Sequence, residues 1–394
     1  MSTDPTVPTR AQRSADRRSP FAHLEKDLGS LAALGRLRAL ATANGHDFTS
    51  NDYLGLADSA ELREAAIQAM CRRIPMGAGG SRLLRGNHLE HEALEEAATR
   101  FFGAESALYF GSGFAANLAL FATAPQRGDL IVYDQLSHAS VLDGMRRGRA
   151  ETASAPHNSA QGIEDAIVRW RAAGGAGRVW IAVESVYSMD GDGPDLKELD
   201  TLADHWEAIL IIDEAHATGV LGPQGRGCAA FLEGRENVVT VHTCGKALGT
   251  AGAFICAPRI LRDFLVNRAR PFIFSTAPSP LVAAVTRAAI ALCEQGDARR
   301  AQLQRLVDHA HHGLSQKLGL KGSGSHILPL IVGEDRAAVE LALKLRAHGY
   351  DVRAIRPPTV PLGTARLRIA LTLNANNTVV EGLIEALKLE WVRS

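Results

Sequence analysis

Short apolar runs rich in β-branched residues recur along this chain, at residues 107–110, 130–133, 179–183, 208–212 and 238–241, with helix-patterned stretches between them. A strand that is apolar on both sides needs a helix on each face of its sheet. The alternation therefore predicts an α/β fold with a mainly parallel central sheet. A further run at 253–256 extends the series. In open α/β sheets, ligands sit beyond the carboxyl ends of the strands. Chemistry is therefore expected just after each run.

The pattern changes near Ser279. Long amphipathic helices are predicted over 281–293 and 297–318. Short strands and helices follow at 326–332, 337–348, 352–354, 366–371 and 379–389. This predicts a smaller α+β domain over 281–394, after a large domain over 56–280. Ahead of both, a helix and strand segment is expected over 21–55, and a disordered leader with several arginines and prolines over 1–20. A chain of 394 residues is long enough to bury both cores.

Lys and Arg total 43 and Asp and Glu total 43, so the net charge is zero. Binders of nucleic acid or anionic membranes carry a basic excess, and neither partner is expected here. The apolar stretch 281–293 is too short to span a bilayer and is broken by Thr286 and Arg287. The leader lacks the apolar centre of a secretory signal. The five cysteines form no C-x-x-C pair, which suits free thiols in a cytoplasmic protein.

Two strand ends carry the most specific chemistry. Ile211-Ile212 runs into Asp213, with His216 close behind, and the run 238–241 leads to Thr243 and Lys246. An acid, an imidazole and an amine then converge on one ligand. A pyridoxal phosphate (PLP) site needs an amine for covalent attachment and an acid facing the pyridinium nitrogen. Gly111-Ser112-Gly113-Phe114 opens a helix after another run, where free N–H groups and the helix dipole favour a phosphate. Ala116 replaces the third glycine of a dinucleotide fingerprint, so G-x-G-x-x-G is incomplete.

His138 follows the 130–133 run and is placed either to lie on an aromatic cofactor or to be satisfied within its loop. The run 183–193 ends in a Gly/Asp turn whose acids lack the spacing of a calcium loop. Arg366 and Arg368 share one face of a strand by period two. Like charges there need an anion opposite, either a substrate carboxylate or a structural acid. His309, His311 and His312 lack the partners of a tetrahedral metal site, so a solvated helix face and no metal are expected.

Taken together, these segments resemble the α-oxoamine synthases, PLP-dependent acyltransferases with the aspartate-aminotransferase-type fold. The matching stretches are Ser50-Asn51-Asp52-Tyr53-Leu54-Gly55-Leu56, Gly79-Gly80-Ser81, Ser112-Gly113-Phe114-Ala115-Ala116-Asn117, Ser137-His138-Ala139-Ser140, Ser188-Met189-Asp190-Gly191-Asp192, the run 213–219, Gly245-Lys246 and Ile273-Phe274-Ser275-Thr276. The likeness spans about residues 21–390. The run 354–368 is more selective. It points to the branch that joins L-alanine to a pimeloyl thioester in biotin biosynthesis.

The resemblance implies a role for each matching position. Lys246 carries the cofactor and moves protons, Asp213 faces the pyridinium nitrogen, His216 contacts the phenolic oxygen and His138 stacks on the ring. Gly113, Phe114 and Thr243 hold the phosphate, with Thr276 reaching in from a partner subunit, and Ser188 lies beside the cofactor. Arg368 binds the amino-acid carboxylate, and Thr359 near Arg356 contacts substrate. A further substrate arginine is expected ahead of Asn51, at Arg36 or Arg38. Cys244 departs from the larger apolar residue common in the family. The implied partners are L-alanine and either pimeloyl-CoA or pimeloyl-acyl carrier protein, acted on by a homodimer with shared active sites. Four other readings compete, the weakest a plain Rossmann-type dehydrogenase, given the missing third glycine. One is a glycine-using relative of the glycine C-acetyltransferase or 5-aminolevulinate synthase type. Another is an aminotransferase on the same fold. The third is a non-catalytic partner subunit, against which an intact Lys246 with Asp213 and His216 argues.

Overall fold

The computed structural model describes residues 19–320 and 322–391. The leader expected over 1–20 lies outside them except for Ser19 and Pro20.

Helix α1 (Ala22–Ala33) precedes the two-residue strand β1 (His46–Asp47). Helix α2 (Ala60–Cys71) starts at Ser59, whose hydroxyl accepts from the Leu62 N–H at 3.2 Å, the cap that residue type favours. A π-helical turn (Arg82–Gly86) leads into α3 (Leu89–Phe102). A strand–helix alternation follows. It runs through β2 (Ser106–Phe110), α4 (Gly113–Thr123), β3 (Leu130–Asp134), α5 (Ala139–Arg147), β4 (Glu151–Ala155), α6 (Ala160–Ala172), β5 (Val179–Glu184), α7 (Leu196–His205), β6 (Ile209–Asp213), β7 (Val238–Thr243) and β8 (Ala253–Ala257).

These strands form one seven-stranded sheet in the order β2-β8-β7-β6-β5-β3-β4. All neighbours are parallel except around β8, which runs antiparallel to both β2 and β7. Every residue of β2, β5, β7 and β8 is buried, as two helix-covered faces require. Each fully buried Leu, Ile or Phe in such a sheet contributes roughly 1.5–3 kcal/mol of transfer free energy. Strand β4 has no apolar run to announce it. Its sequence Glu-Thr-Ala-Ser-Ala is largely exposed because it closes one edge of the sheet.

Beyond β8 come α8 (Arg259–Arg268), α9 (Arg270–Ile273), α10 (Pro280–Glu294) and α11 (Asp297–Leu318). They lead to β9 (Ile327–Gly333), α12 (Asp335–Ala347), β10 (Tyr350–Asp351), β11 (Arg353–Ile355), β12 (Ala365–Ala370) and α13 (Asn377–Trp391). Strands β11, β12 and β9 make an antiparallel sheet, and β10 pairs in parallel with β1. The turn after β1 is fixed by Phe48, Tyr53 and Leu54, all fully buried in a core that continues through Leu306, Leu367 and Leu387. Among the described residues no helix is long and apolar enough to cross a membrane.

Candidate active site

Parallel pairing sets Glu184, at the end of β5, directly beside Asp213, at the end of β6. Strand β7 ends next to them at Thr243, three residues before Lys246. A cavity of about 370 Å³ opens at this edge of the sheet. Gly113, Phe114, His138, Asp213, His216, Thr243 and Lys246 all line it, together with Asn51, Asn117 and Glu184.

The amine end is a chain of contacts running from the half-buried Lys246 to the buried His216 and Tyr53. Lys246 Nζ lies 2.7 Å from His216 Nε2, and His216 Nδ1 lies 2.6 Å from the Tyr53 hydroxyl. Burial pushes the Lys246 amine well below the ordinary lysine range, against the nearby charges of Asp213 and Glu184, which raise it. Burial also lowers His216 far below the usual imidazole range, and the charges of Lys246 and Arg368 add to that. The imidazole is therefore neutral, beside an amine whose charged form burial disfavours.

The acid end is equally fixed. Asp213 Oδ2 accepts from Asn117 Nδ2 at 2.8 Å, and its Oδ1 accepts from the Ala215 N–H at 2.9 Å. Asn117 sits on α4 and also donates to Ser140 at 3.0 Å, while its buried Oδ1 has no protein partner. Glu184 accepts the His138 N–H at 2.7 Å, and burial with Asp213 beside it raises its pKa. His138 caps α5, with Nδ1 2.7 Å from the Ser140 hydroxyl, and burial lowers its pKa.

The third feature is the start of α4. Ser112 caps the helix by accepting from Ala115 N at 3.1 Å. A Cβ at Gly113 would sit 3.3 Å from Thr243 Cγ2, so glycine leaves the first turn's N–H groups open toward the cavity. An anion is stabilised there by those donors and by the dipole. Half-buried amine, buried carboxylate and anion cradle thus match the three ends of PLP: aldehyde, ring nitrogen and phosphate.

The remaining expected residues do not line the cavity, and Arg368 reaches it only through the lining residue Asn51. Arg368, on β12, is buried and donates from Nε to the Ser188 carbonyl and from Nη2 to Asn51 Oδ1 at 2.7 Å and to the Tyr53 hydroxyl at 3.3 Å. All these partners are neutral. Arg366, two residues away, is instead paired with the Asp190 carboxylate. Each of the two sequence readings thus fits one arginine: a structural acid for Arg366, an uncompensated charge for Arg368. Ser188 meets Arg368 through its carbonyl and does not line the cavity.

Thr359 receives a hydrogen bond from Arg38 Nη2 at 3.3 Å, whereas Arg36 is engaged by Asp335 at 2.6 Å. Of the two expected arginines, Arg38 therefore makes the contact with Thr359. Neither arginine lines the cavity, nor does Thr359. Thr276 is exposed and also outside the lining. Four residues at the site were given no role in the sequence: Glu184, Asn117, Asn51 and Tyr53, although the last three stand in the stretches that carry the resemblance. Only Glu184 carried a signal of its own, as the acid closing an apolar run.

The aminotransferase class I and II family matches residues 43–387. The 8-amino-7-oxononanoate synthase of Chromobacterium violaceum is 41% identical, over 92% of this chain and 97% of that protein. Among solved structures, the serine palmitoyltransferase of S. paucimobilis with bound PLP–myriocin superposes with a TM-score of 0.84 at 25% identity, covering 95% of this chain and 100% of that one. The 8-amino-7-oxononanoate synthase of Francisella tularensis gives 0.73 at 28% identity, covering 89% and 98%. The fold is the aspartate-aminotransferase-type α/β fold of PLP-dependent transferases. The chain belongs to the aminotransferase class I and II family and, within it, to the family of the 8-amino-7-oxononanoate synthases.

Proposed function

We propose that the chain joins L-alanine to a pimeloyl thioester, giving 8-amino-7-oxononanoate, carbon dioxide and a free thiol in biotin biosynthesis. The observation that carries this reading is one cavity lined by the Lys246–His216 contact and by Asp213, with Arg368 held by neutral partners and tied to the lining residue Asn51. PLP, when bound, supplies a protonated pyridine ring that takes up the electron pair left at the alanine Cα. Asp213 is placed to keep that ring protonated, and Asn117 keeps the carboxylate from turning away. The first turn of α4, with Thr243, is placed to hold the phosphate.

Arg368 is placed to take the alanine carboxylate by a bidentate pair. Its partners in the protein leave its charge uncompensated, so a carboxylate gains the full interaction. Lys246 Nζ, whose charged form burial disfavours, accepts the Cα proton of alanine and returns a proton later. His138 and Glu184 form the wall opposite. The acyl carbonyl then bonds to Cα, the thiol leaves with a proton, and the alanine carboxylate departs as carbon dioxide. Thr359, which accepts from Arg38, is assigned to the acyl donor outside the cavity.

The same reading assigns residues 56–280 to the cofactor and 281–394 to a smaller unit that supplies Arg368. It also makes the molecule a homodimer. Thr276 lies exposed beside Phe274, itself 71% exposed, and serves the partner's site rather than its own. Five free cysteines fit a cytoplasmic setting. The test is stoichiometry: with alanine labelled in its carboxylate and pimeloyl-CoA, labelled carbon dioxide and thiol should appear one to one. Thiol release with the label retained in product would refute the decarboxylative condensation.

A further inference from the structure

We propose that His157 is a positioning residue for this site: held between the carboxylates of Asp134 and Asp192, it locks the turn that presents His138 to the turn that anchors Arg368. The inference deepens the alanine-condensing reading and rests on it.

His157 lies in the connection between β4 and α6. Its Nδ1 is 3.0 Å from Asp134 Oδ1, and its Nε2 is 3.1 Å from Asp192 Oδ2. Both ring nitrogens donate only in the imidazolium form. Burial opposes that charge, but the hydrogen bonds to Asp134 and Asp192 outweigh it and raise the pKa to about 10. Asn158 doubles the tie. Its backbone N–H donates to Asp134 Oδ2 at 2.7 Å and its Nδ2 to Asp192 Oδ2 at 3.0 Å. The Tyr187 ring closes another side, edge-on to the imidazole at 4.5 Å.

Each carboxylate organises one wall of the site. Asp134 ends β3 and is 2% exposed. Its Oδ1 accepts from Leu136 N at 2.8 Å and its carbonyl from Ser137 N at 2.9 Å, which fixes the turn ending at His138. On the other side, the Asp192 carbonyl accepts from Tyr187 N at 2.7 Å, and Gly191 N donates to the Tyr187 carbonyl at 2.8 Å. The turn so closed carries Ser188, whose carbonyl receives Arg368, and Asp190, which pairs with Arg366.

His138 belongs to the large sheet's connections and Arg368 to the small sheet. The clamp therefore sets the distance between the cofactor ring and the carboxylate-binding guanidinium. A buried carboxylate such as Asp134 is costly without a cation beside it. Removing the imidazolium leaves Asn158 as the remaining tie and loosens both turns at once. His157 itself does not line the cavity.

A clamp that served stability alone would leave the folded enzyme's alanine affinity unchanged, and this difference is measurable. PLP-loaded His157→Gln enzyme is compared with wild type by titrating alanine against the cofactor absorbance, and by KM and kcat in the condensation. Glutamine donates from one end only and turns a carbonyl toward the second carboxylate. Alanine dissociation constant and KM should rise about tenfold, with cofactor loading unchanged and kcat less affected. A second variant, His157→Gln with Asp192→Asn, replaces the charged tie by an amide–amide hydrogen bond and should recover most of the alanine affinity. An unchanged KM in the folded single variant overturns the proposal. So does absence of recovery in the double variant, which decides alone if the single variant does not fold. Failure of wild-type enzyme to bind alanine strikes the functional reading instead, and is seen before any variant is made.

Discussion

At the residue scale, three side chains were legible because each closes or follows an apolar run: Asp213, His216 and Lys246. Their polarity has no structural reason to sit at the end of a fully buried strand, so chemistry is the economical explanation. Glu184 obeys the same rule, but its run continues into a Gly/Asp turn whose acids mask the strand end. Asn117, Asn51 and Tyr53 were illegible, since their roles depend on how α4 and the turn after β1 pack. Lys246→Ala should abolish thiol release while leaving the protein folded, checked by activity beside circular dichroism. Asp213→Asn should still bind PLP yet turn over about 10²-fold more slowly or worse, because the preorganised charge at the ring is gone. An unimpaired rate in the asparagine variant would contradict that role. Buried histidines make a separate forecast. Burial lowers His326 to about 3 and His216 well below its ordinary range. The unfolded chain therefore binds protons that the native state refuses. Stability must fall as pH drops below about 6.5, by about 1.4 kcal/mol per pH unit for each such group. His326→Phe should remove one group's share of that slope between pH 6 and 4, measured by urea unfolding at each pH. Identical slopes would mean that His326 is not held neutral.

Elements were legible where both faces of a strand are apolar. The large-sheet strands between β2 and β8 were found this way, whereas β4 escaped as an exposed polar edge. The antiparallel direction of β8 leaves no trace in composition. It follows from the short link after Lys246, which returns without a crossover helix. That link is tight. Gly249 has φ +64°, and a Cβ there would lie 2.5 Å from the Ala57 backbone nitrogen. Gly249→Ala should lower the melting temperature, from strain of about 1–3 kcal/mol plus displacement of the loop, and should reduce cofactor loading. Unchanged loading would show that the Lys246 loop tolerates the shift. A second element-scale joint is buried: Glu95 on α3 binds Arg82 of the π-helical turn through both oxygens, at 2.9 and 3.0 Å. It also accepts from Tyr109 N on β2. Glu95→Ala should cost about 3–5 kcal/mol, since it strands a buried guanidinium. Denaturant unfolding would show it.

For the whole molecule, the α/β architecture and its site edge were predictable from strand ends alone. Contacts between chains were not, because an exposed residue in one chain looks the same whether solvent or a partner covers it. Phe274 and Leu84, 71% and 81% exposed, are apolar surface of the kind an interface covers. If Thr276 serves the partner's site, co-expressing Lys246→Ala and Thr276→Ala subunits should yield hybrids with one intact site and recovered activity. No recovery, with the Thr276→Ala enzyme itself impaired, would place Thr276 in its own subunit's site. The central claim is the pairing of alanine with a pimeloyl thioester at Lys246. The measurement that tests it most directly is thiol release from pimeloyl-CoA by PLP-loaded protein, with L-alanine and glycine compared in parallel. The account predicts release that depends on alanine and is far slower with glycine. Release with glycine alone, or none with either amino acid in protein that binds alanine, would contradict it.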